Sequence, residues 1–235
     1  MTGHGMKTFK ALSLLLGYPT AELQAAIPDL RAVLHGEGLL DPRRIEALAP
    51  LLTKLESRDL YDLQERYVLL FDRSRTLSLN LFEHIHGESR DRGGAMVDLL
   101  EMYRAGGFDL IGTELPDHLP VLLEYLSARP LAEAREVLRD AGHILVALGE
   151  RLVRRETAYA AVLEALVAIA EADPQGAEVE TLLSVEDDDP EDLAALDAVW
   201  AEAQVTFGPD PNAGCPASRD LLARMDPAPK PRAAS

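Results

Sequence analysis

Cysteine is nearly absent: the 235-residue chain contains one, Cys215. A lone thiol cannot close an internal disulfide, which fits a reducing compartment. Cations are scarce as well. Lys and Arg number 23 against 40 Asp and Glu, a formal net charge of −17, so a nucleic-acid groove that must neutralise phosphates is excluded, as is a polybasic lean on an anionic membrane. No apolar run reaches the roughly 18 to 20 uncharged residues of a membrane span; even Ala158 to Ala172 carries Glu164 and Glu171. Met1 to Lys10 lacks the apolar stretch of a secretion signal, and Leu12 to Leu16 stops at Gly17-Tyr18-Pro19. A cytoplasmic location without direct membrane insertion is expected. Catalytic signatures are missing too. There is no Walker-type loop and no Gly-x-Gly-x-x-Gly, Ser89 and Ser184 lack a strand-turn-helix elbow, and Cys215 sits in a Pro- and Ala-rich tail.

What is present is helical periodicity. Phe9, Leu12 and Leu16 recur at three and four, Thr20 can cap a segment with the face Leu23, Ile27, Leu30 and Leu34, and Pro28 is expected to kink or divide it. Asp41-Pro42 reads as an N-cap with proline at the first helical position. Asp59 opens a strongly amphipathic helix burying Leu60, Leu63, Tyr67, Leu70 and Phe71. Leu77, Leu79 and Leu81 alternate like a strand, but with no partner segment they read as extended linker or helix start. Helices follow near 92–105, from Asp117 to a stop before Pro130, over 131–154 and over 157–172. The fold class is all-α, a single bundle of about eight helices over 1–172. An acidic linker spans 173–192, a short C-terminal docking helix with Leu193, Leu196, Val199 and Trp200 spans 193–208, and 209–235 reads as a disordered tail.

Chemistry concentrates in two places. The first is Glu83-His84-Ile85-His86-Gly87-Glu88-Ser89-Arg90-Asp91-Arg92. Glu83 and His86 at i, i+3 form half of a di-iron bundle motif, but no second Glu-x-x-His exists, so a metal-dependent enzyme using Glu83, His84, His86 and His118 stands as the alternative to a hydrogen-bonded loop that positions two helices. The second is Pro116-Asp117-His118. Here Asp117 is either an N-cap with His118 in the first helical turn, or the partner of an acid/base or peptide-binding histidine. Tyr67 and Phe71 form an aromatic stripe, followed by Asp72, which either caps a turn or offers a carboxylate at a groove rim.

Taken together, Tyr67-Val68-Leu69-Leu70-Phe71-Asp72 with Leu77 to Met96, and Leu115-Pro116-Asp117-His118-Leu119-Pro120 to Leu126, resemble the NarJ family of respiratory nitrate reductase assembly chaperones, relatives of the TorD-like chaperones. The resemblance covers most of the chain up to Gly208. It implies a chaperone, not an enzyme, that binds the catalytic subunit of a membrane-bound nitrate reductase, chiefly at its N-terminal segment. Molybdenum cofactor and iron-sulfur insertion would then precede membrane docking, and the chaperone would not remain in the final enzyme. No cofactor or metal of its own is expected, and the chain is expected to be a monomer or weak dimer. Mapped on these motifs, the candidate client-binding residues are Tyr67, Phe71, Asp72, Glu83, His84, His86, Arg90, Arg92, Pro116, Asp117, His118 and Leu122. A groove with apolar pockets and a few polar anchors is what peptide capture requires.

Overall fold

The computed structural model of the chain describes residues 6–86 and 91–187. Arg90, the last residues of the acidic stretch, the expected docking helix 193–208 and the tail 209–235 lie outside the described residues. Among the described residues there are eleven α-helices and no β-strand: α1 (Lys7–Leu15), α2 (Ala21–Glu37), α3 (Pro42–Ser57), α4 (Leu60–Tyr67), α5 (Leu81–His86), α6 (Asp91–Ala105), α7 (Leu119–Ser127), α8 (Leu131–Asp140), α9 (Gly142–Arg154), α10 (Ala160–Ala170) and α11 (Ala177–Leu183).

The caps of α2 and α3 fall where the sequence places them. Thr20 accepts the Leu23 N–H at 3.2 Å, and Asp41 accepts from Arg43 and Arg44 with Pro42 in the first turn. Each satisfies donors that a helix start otherwise leaves orphaned. α1 is capped from a distance instead: the Glu37 carboxylate takes the Lys7 N–H at 2.8 Å and the Thr8 N–H at 2.6 Å. This joins the end of α2 to the start of α1, and α1 then lies along α7, where Ser13 Oγ donates to the Pro120 carbonyl at 2.7 Å. α7 is the most enclosed element, with Leu119, Leu122, Leu123, Tyr125 and Leu126 all buried.

One expectation is narrowed and two are corrected. α2 runs undivided through Pro28, whose ring faces solvent while Ile27, Leu30 and Leu34 stay buried on the opposite face; the lost backbone bond is outweighed by apolar contacts on both sides of it. The single helix expected over 131–154 is two, broken at Ala141-Gly142. A Cβ on Gly142 would sit 2.8 Å from the Ala172 Cβ, so the break occurs where the chain after α10 presses on the start of α9 and only glycine leaves room. The acidic stretch also departs from a linker over its described part. It forms α11 on α9 with Val179 buried, and its end is held by Arg151. Arg151 is 2% exposed, and its Nε donates to Asp187 at 2.8 Å while its Nη atoms donate to the carbonyls of Thr76, Leu182 and Val185. Charge density along a sequence does not reveal that one carboxylate in the run has a buried arginine waiting for it.

Candidate functional site

The two motifs meet through the backbone. The Leu119 N–H donates to the Leu79 carbonyl at 2.8 Å and the Leu81 N–H to the Asp117 carbonyl at 3.0 Å, an isolated antiparallel bridge pairing Asn80 with His118. The alternating leucines thus have a partner after all, in a segment 38 residues away in the chain, and Leu77, Leu79 and Leu81 are all buried. A two-residue bridge between irregular segments leaves no periodic signal to read in advance.

Asp117 sits at the centre of this junction with no exposed surface. It does not cap its own helix. His118 occupies the N-cap position of α7 without a side-chain cap bond, while Asp117 Oδ2 accepts the Phe82 N–H at 2.9 Å and so caps α5 across the bridge. Its Oδ1 has no partner among the described residues, and the Arg92 guanidinium stands 4.0 Å from Oδ2. Burial raises the Asp117 carboxyl above its ordinary value, against the Phe82 bond and Arg92, which both lower it. Behind the junction, Tyr103 is fully buried and donates to the Pro116 carbonyl at 2.7 Å, fixing the loop that delivers Asp117.

Around Asp117 the polar side chains form a chain of contacts. Arg92 donates to Glu83 Oε1 at 3.1 Å, the Asn80 amide also reaches Glu83 Oε1, and Asn80 Oδ1 lies 3.3 Å from His118 Nδ1. The carboxamide oxygen can only accept, so this contact places a proton on His118 Nδ1. Glu114 approaches the same nitrogen at 3.8 Å. His84 points elsewhere, its Nε2 donating to the Ser78 carbonyl at 2.8 Å. Burial lowers both imidazoles below their ordinary 6.5, Glu114 partly opposing this at His118 and the Ser78 bond partly opposing it at His84. His86 stacks edge-on against Phe82 at 5.8 Å. Glu83 and His118 thus share Asn80, while His84 and His86 turn to other partners, and among the described residues no three His, Cys, Asp or Glu side chains gather at a metal position.

The remaining candidates divide by depth. Tyr67, Phe71 and Leu122 are packed in the core, with the Tyr67 hydroxyl donating to the Leu16 carbonyl at 2.9 Å and the Phe71 ring 4.9 Å from Tyr67 and 5.2 Å from Tyr159. Pro116 is buried as well. Asp72 is exposed where the chain leaves a π-helical turn, Val68–Asp72, and burial of part of its surroundings together with the Glu114 carboxylate raises its carboxyl. The Glu114 carboxylate thus acts on Asp72, and Leu115, next to Glu114 in the chain, is exposed. Sequence alone does not mark Asn80, Ser78, Tyr103 or Glu114 as site residues. Glu114 carried a legible signal, four residues before His118. Asn80 carried a weaker one, a lone amide between leucines that both proved buried.

Comparison with known proteins follows the same outline. Residues 20–165 match the nitrate reductase delta subunit family. The chain is 43% identical over 205 residues to the nitrate reductase molybdenum cofactor assembly chaperone NarJ of Escherichia coli (strain K12), covering 86% of each. It is 40% identical over 217 residues to the probable chaperone NarW of the same strain, covering 91% of this chain and 89% of that one. To the probable NarJ of Bacillus subtilis (strain 168) it is 34% identical over 164 residues, 70% of this chain and 88% of the relative. A crystal structure of a putative redox enzyme maturation protein from Archaeoglobus fulgidus shares the fold at a TM-score of 0.52 and 23% identity, covering 73% of this chain and 96% of that one. The chain belongs to the nitrate reductase delta subunit family.

Proposed function

We propose that this protein is an assembly chaperone for the catalytic subunit of a membrane-bound respiratory nitrate reductase, acting by binding and release without turnover. The observation that carries the reading is the 43% identity to E. coli NarJ across 86% of both chains. The client segment is the N-terminal part of the catalytic subunit. Holding it leaves time for molybdenum cofactor and iron-sulfur insertion before the reductase docks at the membrane, and the chaperone then leaves. Such work is done in the cytoplasm, and no described helix is long and apolar enough to cross a membrane.

The surface around the motif junction supports peptide capture. Exposed Leu115 and Ile85, on the two motif segments, offer apolar contact, and Asp72 and Glu114 offer negative charge to a basic client residue. Buried Asp117 and half-buried His118 and Glu83 hold the frame on which that surface rests. Helix-in-groove recognition uses this mixture of apolar anchors with a few charged positions, and opposite charge raises the encounter rate in a salt-dependent way.

Calorimetric titration of the full chain with a synthetic peptide of the client's N-terminal segment tests the proposal. Saturable binding is expected, weakened by added salt and by Asp72→Asn with Glu114→Gln. Absence of binding at low and moderate salt, together with unchanged molybdenum content of the reductase in a deletion strain, would refute it.

A further inference from the structure

We infer that the strap made of α11 and residues 184–187 sets the geometry of the junction between Asn80 and His118, with Arg151 as the positioning residue, and that its docked state is the one that holds a client. Where it concerns the client, the inference rests on the chaperone reading above. Arg151 is almost fully buried, and its guanidinium is divided between two segments. Nη1 donates to the Thr76 carbonyl at 3.1 Å, whereas Nε donates to Asp187 at 2.8 Å and Nη2 to the carbonyls of Leu182 at 2.7 Å and Val185 at 3.3 Å. A guanidinium is a planar fork with fixed donor directions. The three acceptors on the strap therefore fix the plane in which Nη1 meets Thr76. An apolar side chain would fill this position with less desolvation cost; what the arginine adds is the link.

From Thr76 the path to the junction is short. Arg75–Leu77 is a single 3-10 turn packed on α9, and Ser74, Thr76, Leu77 and Ser78 are all buried. The Ser78 hydroxyl accepts the Asn80 N–H at 3.2 Å and the Ser78 carbonyl takes His84 Nε2 at 2.8 Å, while Leu79 and Leu81 bond across to Leu119 and Asp117. Closely packed segments shift between discrete arrangements and do not deform continuously, so a displacement of Thr76 is passed to Ser78 and the bridge. The strap is the part able to change state. Val179 is the one buried residue of α11, and the flanking contacts of His143 with Glu178 and of Arg154 with Asp187, at 3.8 and 3.7 Å, lie at the surface. Elements with so little buried apolar contact open at lower free energy than the bundle that carries them. When the strap lifts, three of these four bonds to Arg151 go together, and a buried cation left with one carbonyl must turn toward water. Thr76 then loses its donor, so strap and junction are two sites coupled through one side chain.

Amide hydrogen exchange of the full chain, paired with calorimetric titration of a synthetic peptide of the client's N-terminal segment, tests this. In Asp187→Ala, a change at a partly exposed position, the amides of Leu77, Ser78 and Leu81 should lose protection by roughly threefold or more while those of α1 keep theirs, and peptide affinity should fall by about the same factor. Arg151→Lys, which keeps the charge and loses the fork, should act in the same direction. Arg154→Gln, which removes only the exposed partner of Asp187, should change neither. Unaltered protection at Leu77, Ser78 and Leu81 in Asp187→Ala while α11 opens would overturn the coupling. So would an equal loss of protection in α1, which would make Arg151 a contributor to general stability. Lowered protection with unchanged affinity would overturn the assignment of the docked strap as the client-holding state. A parent chain that binds no peptide refutes the chaperone reading and the client half of the inference with it, and the exchange measurement still decides the coupling.

Discussion

Asp117 shows how much one residue can hold. Its carboxylate is fully buried, caps α5 through the Phe82 N–H and keeps Oδ1 without a partner among the described residues. Of its functions, the acceptor is structural and the charge is a burden that burial makes larger. Asp117→Asn keeps an acceptor for Phe82 and removes the buried charge, so its melting temperature should equal or exceed that of the parent at neutral pH. Asp117→Ala strands the Phe82 donor and should cost about 1–3 kcal/mol in urea unfolding. A large loss in Asp117→Asn would mean that the interaction with Arg92 at 4.0 Å outweighs the desolvation. The sequence pointed to this aspartate but to the wrong helix. Capping is read from neighbours in the chain, whereas the donor Asp117 serves lies 35 residues away.

Among elements, α11 depends most visibly on a single tie. It is seven residues long, too short to persist alone, and beyond buried Val179 its anchor is Arg151, which binds the Leu182 and Val185 carbonyls and Asp187. The same guanidinium reaches the Thr76 carbonyl, so one side chain joins α9, the turn before α5 and the acidic stretch. Arg151→Ala leaves Asp187 and these carbonyls without their donor and is expected to cost about 3–5 kcal/mol. In Asp187→Asn, amide hydrogen exchange should quicken in α11 while α1 and α7 keep their protection. Unchanged exchange in α11 would place its anchorage in Val179 and its neighbours instead. Periodicity found the long helices because their buried faces repeat every three to four residues. Short elements escaped it: α11, the π-helical turn after α4 and the bridge at Asn80 are specified by what they touch.

For the whole molecule, pH reads out the buried imidazoles. His84 and His118 are held below 6.5 by burial, with Glu83 and the Ser78 bond acting against this at the first, Arg151 with it, and Glu114 against it at the second. The unfolded chain, whose histidines titrate at the ordinary value, therefore binds more protons than the folded one in the window just below 6.5. Stability is full above that pH and falls as the pH drops through the window. Chemical denaturation between pH 7.5 and 5.5 should show this decline, and a His84→Gln, His118→Gln double variant should flatten it. An equally steep decline in that variant would assign the effect to other groups.

Amino-acid order alone determined the all-α class, the long amphipathic helices, most of their caps and the two motifs that carry the family resemblance, because each rests on spacing within a few turns of chain. Tertiary structure decided the rest. It paired Asn80 with His118, gave Asp117 to α5, set Glu114 beside Asp72, and buried Tyr67, Phe71 and Leu122 in the core where a groove was expected. Each of these depends on distances between residues far apart in sequence, which are fixed only when the helices pack and exclude water between them.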